Sequence, residues 1–113
     1  VADQYEMHRR RYYAYLNLGE VEKEMGNYAG ALEARRDALL IAEASGNPIW
    51  VAHALLEMGE TYGALDDREE ERRYVMMALD LYRENNVSAQ VRRLEHRVRE
   101  LSSSATGDRK VAE

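Results

Sequence analysis

The sequence predicts an all-α fold, an α-solenoid of two helix-turn-helix repeats plus a C-terminal capping helix. Its 113 residues are 45% hydrophobic, with no cysteine, no phenylalanine and one proline, and strong helix formers such as Ala, Leu, Glu and Arg dominate. Apolar residues recur at helical intervals, as at Leu55, Met58 and Tyr62. Turn signals return about every 20 residues, at Gly26-Asn27, Gly46-Asn47, Asp66-Asp67 and Asn85-Asn86.

Five helices are predicted in the intervals between these turns, over about residues 5–25, 28–44, 48–65, 68–84 and 88–101. The start of the third helix carries the clearest signal. Asn47 is a good N-cap residue, and Pro48 follows at the first helical position, where its missing N–H costs nothing. Residues 102–113 are polar and show no periodicity, so we expect a disordered tail there.

The repeating unit is a pair of helices, because the chain matches itself when it is shifted by 40 residues. We therefore divide residues 1–101 into repeat 1 (about 8–46), repeat 2 (about 48–86) and a cap helix (about 88–101). Such helices bury their apolar stripes only by stacking on their neighbours, as in a solenoid. The shift superposes identical residues at Ala14 and Ala54, Leu16 and Leu56, Gly19 and Gly59, Glu20 and Glu60, Ala38 and Ala78, and Leu39 and Leu79.

Two glycines in the middle of predicted helices indicate which kind of solenoid this is. Gly19 and Gly59 should each cost about 1 kcal/mol relative to Ala unless a neighbouring chain segment approaches closely. Repeat 1 contains, in this order, an aromatic residue, a Leu-Gly pair, a turn and two alanines seven residues apart. They are Tyr15, Leu18-Gly19, Gly26-Asn27-Tyr28, Ala31 and Ala38.

This pattern resembles the tetratricopeptide repeat, and the resemblance covers about residues 12–101. The spacing of 40 residues exceeds the usual ~34, so the chain is similar to the long-helix arrays of bacterial signalling ATPases and transcriptional regulators. HEAT-type repeats share the length but do not explain the paired Leu-Gly and Ala positions. Glu71 departs from the pattern, since it stands where repeat 1 has the small residue Ala31. We expect Glu71→Ala to stabilise the protein by removing a partly buried carboxylate.

The fifth helix has a narrow apolar stripe formed by Val87, Val91, Leu94, Val98 and Leu101. A terminal helix with one buried and one solvated face is what a solenoid needs for solubility, so we interpret it as a cap. The alternative is that the same stripe pairs with its counterpart in a homodimeric coiled coil.

The sequence carries no pattern typical of an enzyme or of a cofactor or metal site. Its three histidines form no HExxH or other i, i+4 pair, and its glycines form no phosphate-binding loop. The net charge of −5 argues against general nucleic-acid binding, with an Arg-rich contact by the last helix as a minor alternative. No apolar run is long enough to span a membrane and no apolar leader is evident, which favours a cytoplasmic location.

With these functions disfavoured, we expect the chain to act through an interaction surface. The resemblance implies that the first helices of the repeats line a concave binding face. We expect that face to bind a protein or peptide segment carrying basic residues, through leucines and through glutamates repeated at the same spacing. Two alternatives are a structural or regulatory segment of a longer array in a bacterial signalling or transcription-regulating protein, and a homodimer. The predicted contact residues are Tyr13, Leu16, Glu20, Lys23, His53, Leu56, Glu60, Arg93, His96 and Glu100.

Overall fold

A computed structural model describes the backbone of residues 2–112 and the side chains of residues 3–103. All five elements are α-helices, which confirms the predicted fold class. They are α1 (Ala2–Glu24), α2 (Tyr28–Ser45), α3 (Pro48–Ala64), α4 (Arg68–Glu84) and α5 (Ser88–Ala112).

The last helix differs from its predicted bounds, because α5 continues to Ala112 where we expected an end near residue 101. The segment after Leu101 contains no proline, and its first glycine is Gly107, so no strong stop signal follows the predicted end. The side chains of residues 104–113 lie outside the described residues. The disordered tail therefore stays a prediction.

The turns between helices have the backbone conformation that their residues favour. At each turn one residue adopts the left-handed conformation, and two of the four are glycines, for which this region carries no steric cost. Asn27, Asn47 and Asp67 then cap the next helix, each accepting hydrogen bonds from its first backbone N–H groups. The left-handed residues are Gly26 (φ 84°), Gly46 (φ 69°), Asp66 (φ 62°) and Asn86 (φ 59°).

The helices stack in chain order, with α1 against α2, α2 against α3, α3 against α4 and α4 against α5. Two clusters of buried residues hold this stack together. The first, built by α1, α2 and α3, contains Tyr12, Leu16, Ala38, Ala42, Trp50 and Ala54. The second, built by α3, α4 and α5, contains Ala52, Leu55, Leu56, Val75, Ala78, Leu79, Tyr82 and Leu94.

The apolar stripe of α5 lies against the second cluster. Leu94 is 3% exposed, and Val87, Val91 and Val98 pack on the same cluster. The stripe is therefore used within the chain to cover α4, as the cap interpretation requires, and it is not left free for a coiled coil.

Both mid-helix glycines make the close approach that their positions predicted, but to different groups. A Cβ at Gly59 would lie 3.3 Å from the backbone carbonyl oxygen of Glu71. A Cβ at Gly19 would lie 2.9 Å from Cγ of Arg35, so a side chain rather than a backbone passes over this glycine.

Glu71 is buried, as expected, but its carboxylate has a partner. It is 5% exposed and accepts a charge-assisted hydrogen bond from Arg97 of α5. Its carboxylate also lies against Gly63, where an added Cβ would come within 2.8 Å. An ion pair between α4 and α5 thus fills the space that a small residue would leave. Glu71→Ala would remove this pair, so we no longer expect it to stabilise the protein.

Candidate partner-binding surface

Five of the ten predicted contact residues line one cleft between α3 and α5. The cleft has a volume of about 190 Å³, and apolar residues from three helices contribute to its lining. We call it the α3–α5 cleft. Its lining residues are Leu56, Glu60, Val75, Arg93, Leu94, His96, Arg97 and Glu100.

The other five predicted residues lie outside this cleft. Leu16 is only 7% exposed and belongs to the first core cluster, so it offers little surface to a partner. Tyr13 is 46% exposed, and its ring makes an edge contact with Trp50. The Nε2 atom of His53 lies 4.0 Å from a carboxylate oxygen of Glu57. The last two, Glu20 and Lys23, form an ion pair at 3.5 Å.

A wider depression of about 710 Å³ adjoins the cleft, between the α3–α4 turn and α5. His96, Arg97 and Glu100 line both spaces, so the two form one continuous surface along α5. Its lining includes charges of both signs, among them Asp66 and Arg99.

The contact between α2 and α3, which we call the first junction, is built around the buried cation Arg35. This side chain is fully buried, and Gly19 leaves the room through which its aliphatic part passes. One terminal nitrogen donates to carboxylate oxygens of Glu20 and Glu57, each at 2.9 Å. The other donates to the Glu57 carbonyl oxygen at 3.0 Å and to the Thr61 hydroxyl. Arg35 thus joins three helices, and two carboxylates share its positive charge.

The contact between α4 and α5, the second junction, lacks this cation. The residue 40 positions after Arg35 is Val75, which is 2% exposed and belongs to the second core cluster. The residue 40 positions after Glu20 is Glu60, and no ion pair joins Glu60 to any side chain among residues 3–103. Repeat 1 therefore provides its own partner for this glutamate, whereas repeat 2 provides none.

The environment of Glu60 is unfavourable for a bare carboxylate. The residue has an exposed surface, yet enough protein surrounds its carboxyl group that desolvation by burial raises its pKa, and the negative charge of Glu57 adds to this effect. Positive charges on Lys23, Arg35 and Arg97 act in the opposite direction but do not cancel the shift. A cation placed beside Glu60 would stabilise the ionised carboxylate.

Sequence reasoning missed the Arg35 network, although one signal for it was present. Arg35 is four residues after Ala31 and three before Ala38, so it lies on the same buried row of α2 as the two alanines. A charged residue on such a row needs a buried partner, which indicates a network. The partners themselves lie on other helices, and the local pattern does not identify them.

The described residues were searched for metal sites and for membrane-spanning helices. No group of three or more His, Cys, Asp or Glu side chains within the described part of the chain could hold a metal ion. Among the described residues, no helix is both long and apolar enough to cross a membrane.

The chain matches a known protein family. The family model described as Tetratricopeptide repeat matches residues 11–84, which is more than half of the chain. A search of curated proteins found no match.

Proposed function

Because the chain belongs to the tetratricopeptide repeat family, whose repeats generally mediate protein–protein interactions, we propose that it is a non-catalytic module that binds a peptide or protein segment on its concave face. We locate the centre of binding in the α3–α5 cleft. The observation that carries this proposal is the lone carboxylate of Glu60, which lacks the cation that Arg35 supplies to the equivalent Glu20.

The chemistry of the cleft defines the segment that would fit. Leu56, Val75 and Leu94 provide apolar lining, so an apolar side chain of the partner would gain from burial there. A Lys or Arg of the partner would pair with Glu60, in the role that Arg35 plays at the first junction. The expected ligand is therefore an extended or amphipathic segment with a basic residue next to an apolar one.

This proposal keeps the predicted preference for basic partners but changes the residues that carry it. Glu20 is already neutralised by Arg35 and Lys23, and Leu16 is buried in the core. Changing either residue would perturb the fold along with any binding. Glu60 is the cleaner probe, because no described side chain depends on it for an ion pair.

The experiment that tests the proposal is a selection of peptides from a displayed library on the immobilised chain. We expect the selected sequences to share a Lys or Arg next to a large apolar residue. One selected peptide is then measured against wild type, Glu60→Gln and the control Glu43→Gln, which changes an exposed glutamate on α2, a helix that does not line the cleft.

Glu60→Gln should weaken binding about five- to tenfold, slow association and reduce its salt dependence, because a charge at the rim acts chiefly on the rate of encounter. Glu43→Gln should bind like wild type. If the selected peptides are acidic, or if both variants bind equally well, the cleft does not bind a cation and the proposal is wrong.

A second candidate function is that of a structural or regulatory segment within a larger assembly. It is favoured by one observation, the apolar surface that α1 exposes on the side away from α3. The expectations of a cytoplasmic location and of a role in bacterial signalling or transcriptional regulation stay predictions.

A further inference from the structure

One side of α1 exposes a row of apolar residues that no described residue covers. Its members recur at intervals of three, four or seven residues, as expected for one face of a helix. We call this row the outer face of α1. It consists of Met7 (51% exposed), Ala14, Leu18 (46%) and Val21 (50%), and Met25 (75%), the residue directly after α1, extends it.

The repeat relationship shows that this face is a packing surface. Shifting Ala14, Leu18 and Val21 by 40 residues gives Ala54, Met58 and Thr61 of α3. These three are 0%, 1% and 0% exposed. Ala54 packs in a cluster with α2 residues, and Thr61 bonds to Arg35 of α2. The outer face of α1 thus repeats the surface that α3 buries against a neighbouring helix.

Charges on α1 are distributed unevenly along its length. Arg10 and Arg11 lie in its N-terminal half, and among the described side chains neither forms an ion pair. Its C-terminal half borders a groove of about 330 Å³ between α1 and α2, and Leu18 forms part of the lining. Three carboxylates also line this groove, those of Glu22, Glu33 and Asp37. One end of the outer face is therefore basic and the other acidic.

We propose that the outer face of α1 binds the same face of a second copy of this chain, with the two α1 helices antiparallel. A two-fold axis near Ala14 and Leu18 places Arg11 of each copy beside the acidic groove of the other. It also places Leu18 of each copy near the small Ala14 of the other, so the helices can approach closely. A parallel arrangement would bring like charges together.

The contact is small, since it involves one helix and one groove from each copy. Interfaces at the low end of the size range, about 1,200 Å² or less in total, are typical of weak association. We therefore expect a dimer that dissociates on dilution through the micromolar range.

The test is the molar mass of the whole chain in solution, measured by sedimentation equilibrium from about 1 to 100 µM. Wild type should change from monomer to dimer over this range. Leu18→Glu should weaken self-association at least about tenfold, because it places a charge in the apolar contact. The control is Leu40→Glu, which changes a more exposed leucine (62%) on α2. It should leave the dimer unchanged.

A charge reversal checks the antiparallel arrangement. Arg11→Glu should weaken the dimer several-fold, because it sets a negative charge against Glu22, Glu33 and Asp37. Adding Glu33→Arg to Arg11→Glu should restore part of the loss. A mass that stays monomeric up to about 100 µM, or a dimer that Leu18→Glu does not weaken, would overturn the proposal. Because this face lies apart from the α3–α5 cleft, neither result bears on peptide binding there.

Discussion

The two junctions of this solenoid occupy the same place in the repeat but neutralise charge in different ways. At the first junction, the fully buried Arg35 reaches from α2 to carboxylates on α1 and α3. At the second junction, Val75 stands in the same position, and the buried carboxylate of Glu71 on α4 pairs with Arg97 of α5, in the opposite sense. A second, exposed pair joins Arg83 of α4 to Glu95 of α5. In the Glu71–Arg97 pair, the acid and the base have therefore exchanged helices relative to Glu57 and Arg35.

This difference is the basis of the binding role that we propose for the second junction. The first junction is closed, because each carboxylate near Arg35 already has its cation. The second junction leaves Glu60 without one, and the α3–α5 cleft opens beside it. Under that proposal, the repeat that has Val75 in place of a buried arginine is the one that binds a partner's basic side chain.

The exchange also makes the stacking order specific. The residue 40 positions after Glu57 is Arg97, so α5 packed against α2 would bring Arg97 toward Arg35. Two buried like charges disfavour that arrangement.

The largest expected effect that distinguishes the junctions comes from removing the buried cation. Arg35→Met keeps most of the apolar volume but leaves Glu20 and Glu57 without their partner, so we expect a loss of about 3 kcal/mol in the free energy of unfolding. Val75→Ala, at the same repeat position, should lose about 1 to 2 kcal/mol through a small cavity. Urea titrations of both variants measure the difference. If Val75→Ala lowers the free energy of unfolding more than Arg35→Met does, Arg35 is not the principal stabilising group at the first junction.

A smaller effect is expected at the two glycines. Gly19→Ala should cost about 1 kcal/mol net, because its Cβ would lie 2.9 Å from an arginine side chain that is held at its far end. For Gly59→Ala, the free energy of unfolding should stay within about 0.5 kcal/mol of the wild-type value. The gain in helix propensity offsets a milder contact, since the added Cβ would lie 3.3 Å from the carbonyl oxygen of Glu71. Thermal unfolding of both proteins tests this order. Equal losses of stability in the two variants would mean that the Arg35 side chain can move away from an added Cβ at position 19 without cost.

The smallest expected effect is the pH dependence of Glu60→Gln. Burial raises the pKa of Glu60 in the folded state, so the ionised carboxylate disfavours folding at neutral pH. This cost disappears as the pH falls below the ordinary value of 4.5. Glu60→Gln should therefore be slightly more stable than wild type at pH 7, by less than about 0.5 kcal/mol, and the two should converge in acid. A variant that is less stable than wild type at pH 7 would show that Glu60 already has a favourable partner.

Sequence alone could predict the helices, their turns and their stacking order, because local patterns encode these features. Asn47 and Pro48 mark the start of α3, and the spacing of Gly19 and Gly59 shows the repeat. It could also place five of the cleft residues on one surface, since equivalent positions of stacked repeats face the same way.

The ionic contacts between helices could not be predicted, because each depends on side chains far apart in sequence. Arg35 bonds to residues 15, 22 and 26 positions away, and Arg97 to one 26 positions away. A long side chain can reach several neighbouring helices, and the packing of those helices decides which partner it binds. For the same reason, the sequence indicated that the carboxylate of Glu71 is partly buried but did not identify its partner, Arg97 on α5.

The most direct test of the contrast between junctions is a pair of double-mutant cycles in urea, one for Arg35 with Glu57 and one for Arg97 with Glu71. The Arg35–Glu57 pair combines a fully buried side chain with one that is 19% exposed, whereas Arg97 is 48% exposed. We therefore predict a coupling free energy of at least about 1.5 kcal/mol for the first pair and less than about 1 kcal/mol for the second. Equal couplings, or a stronger coupling between Arg97 and Glu71, would contradict the account.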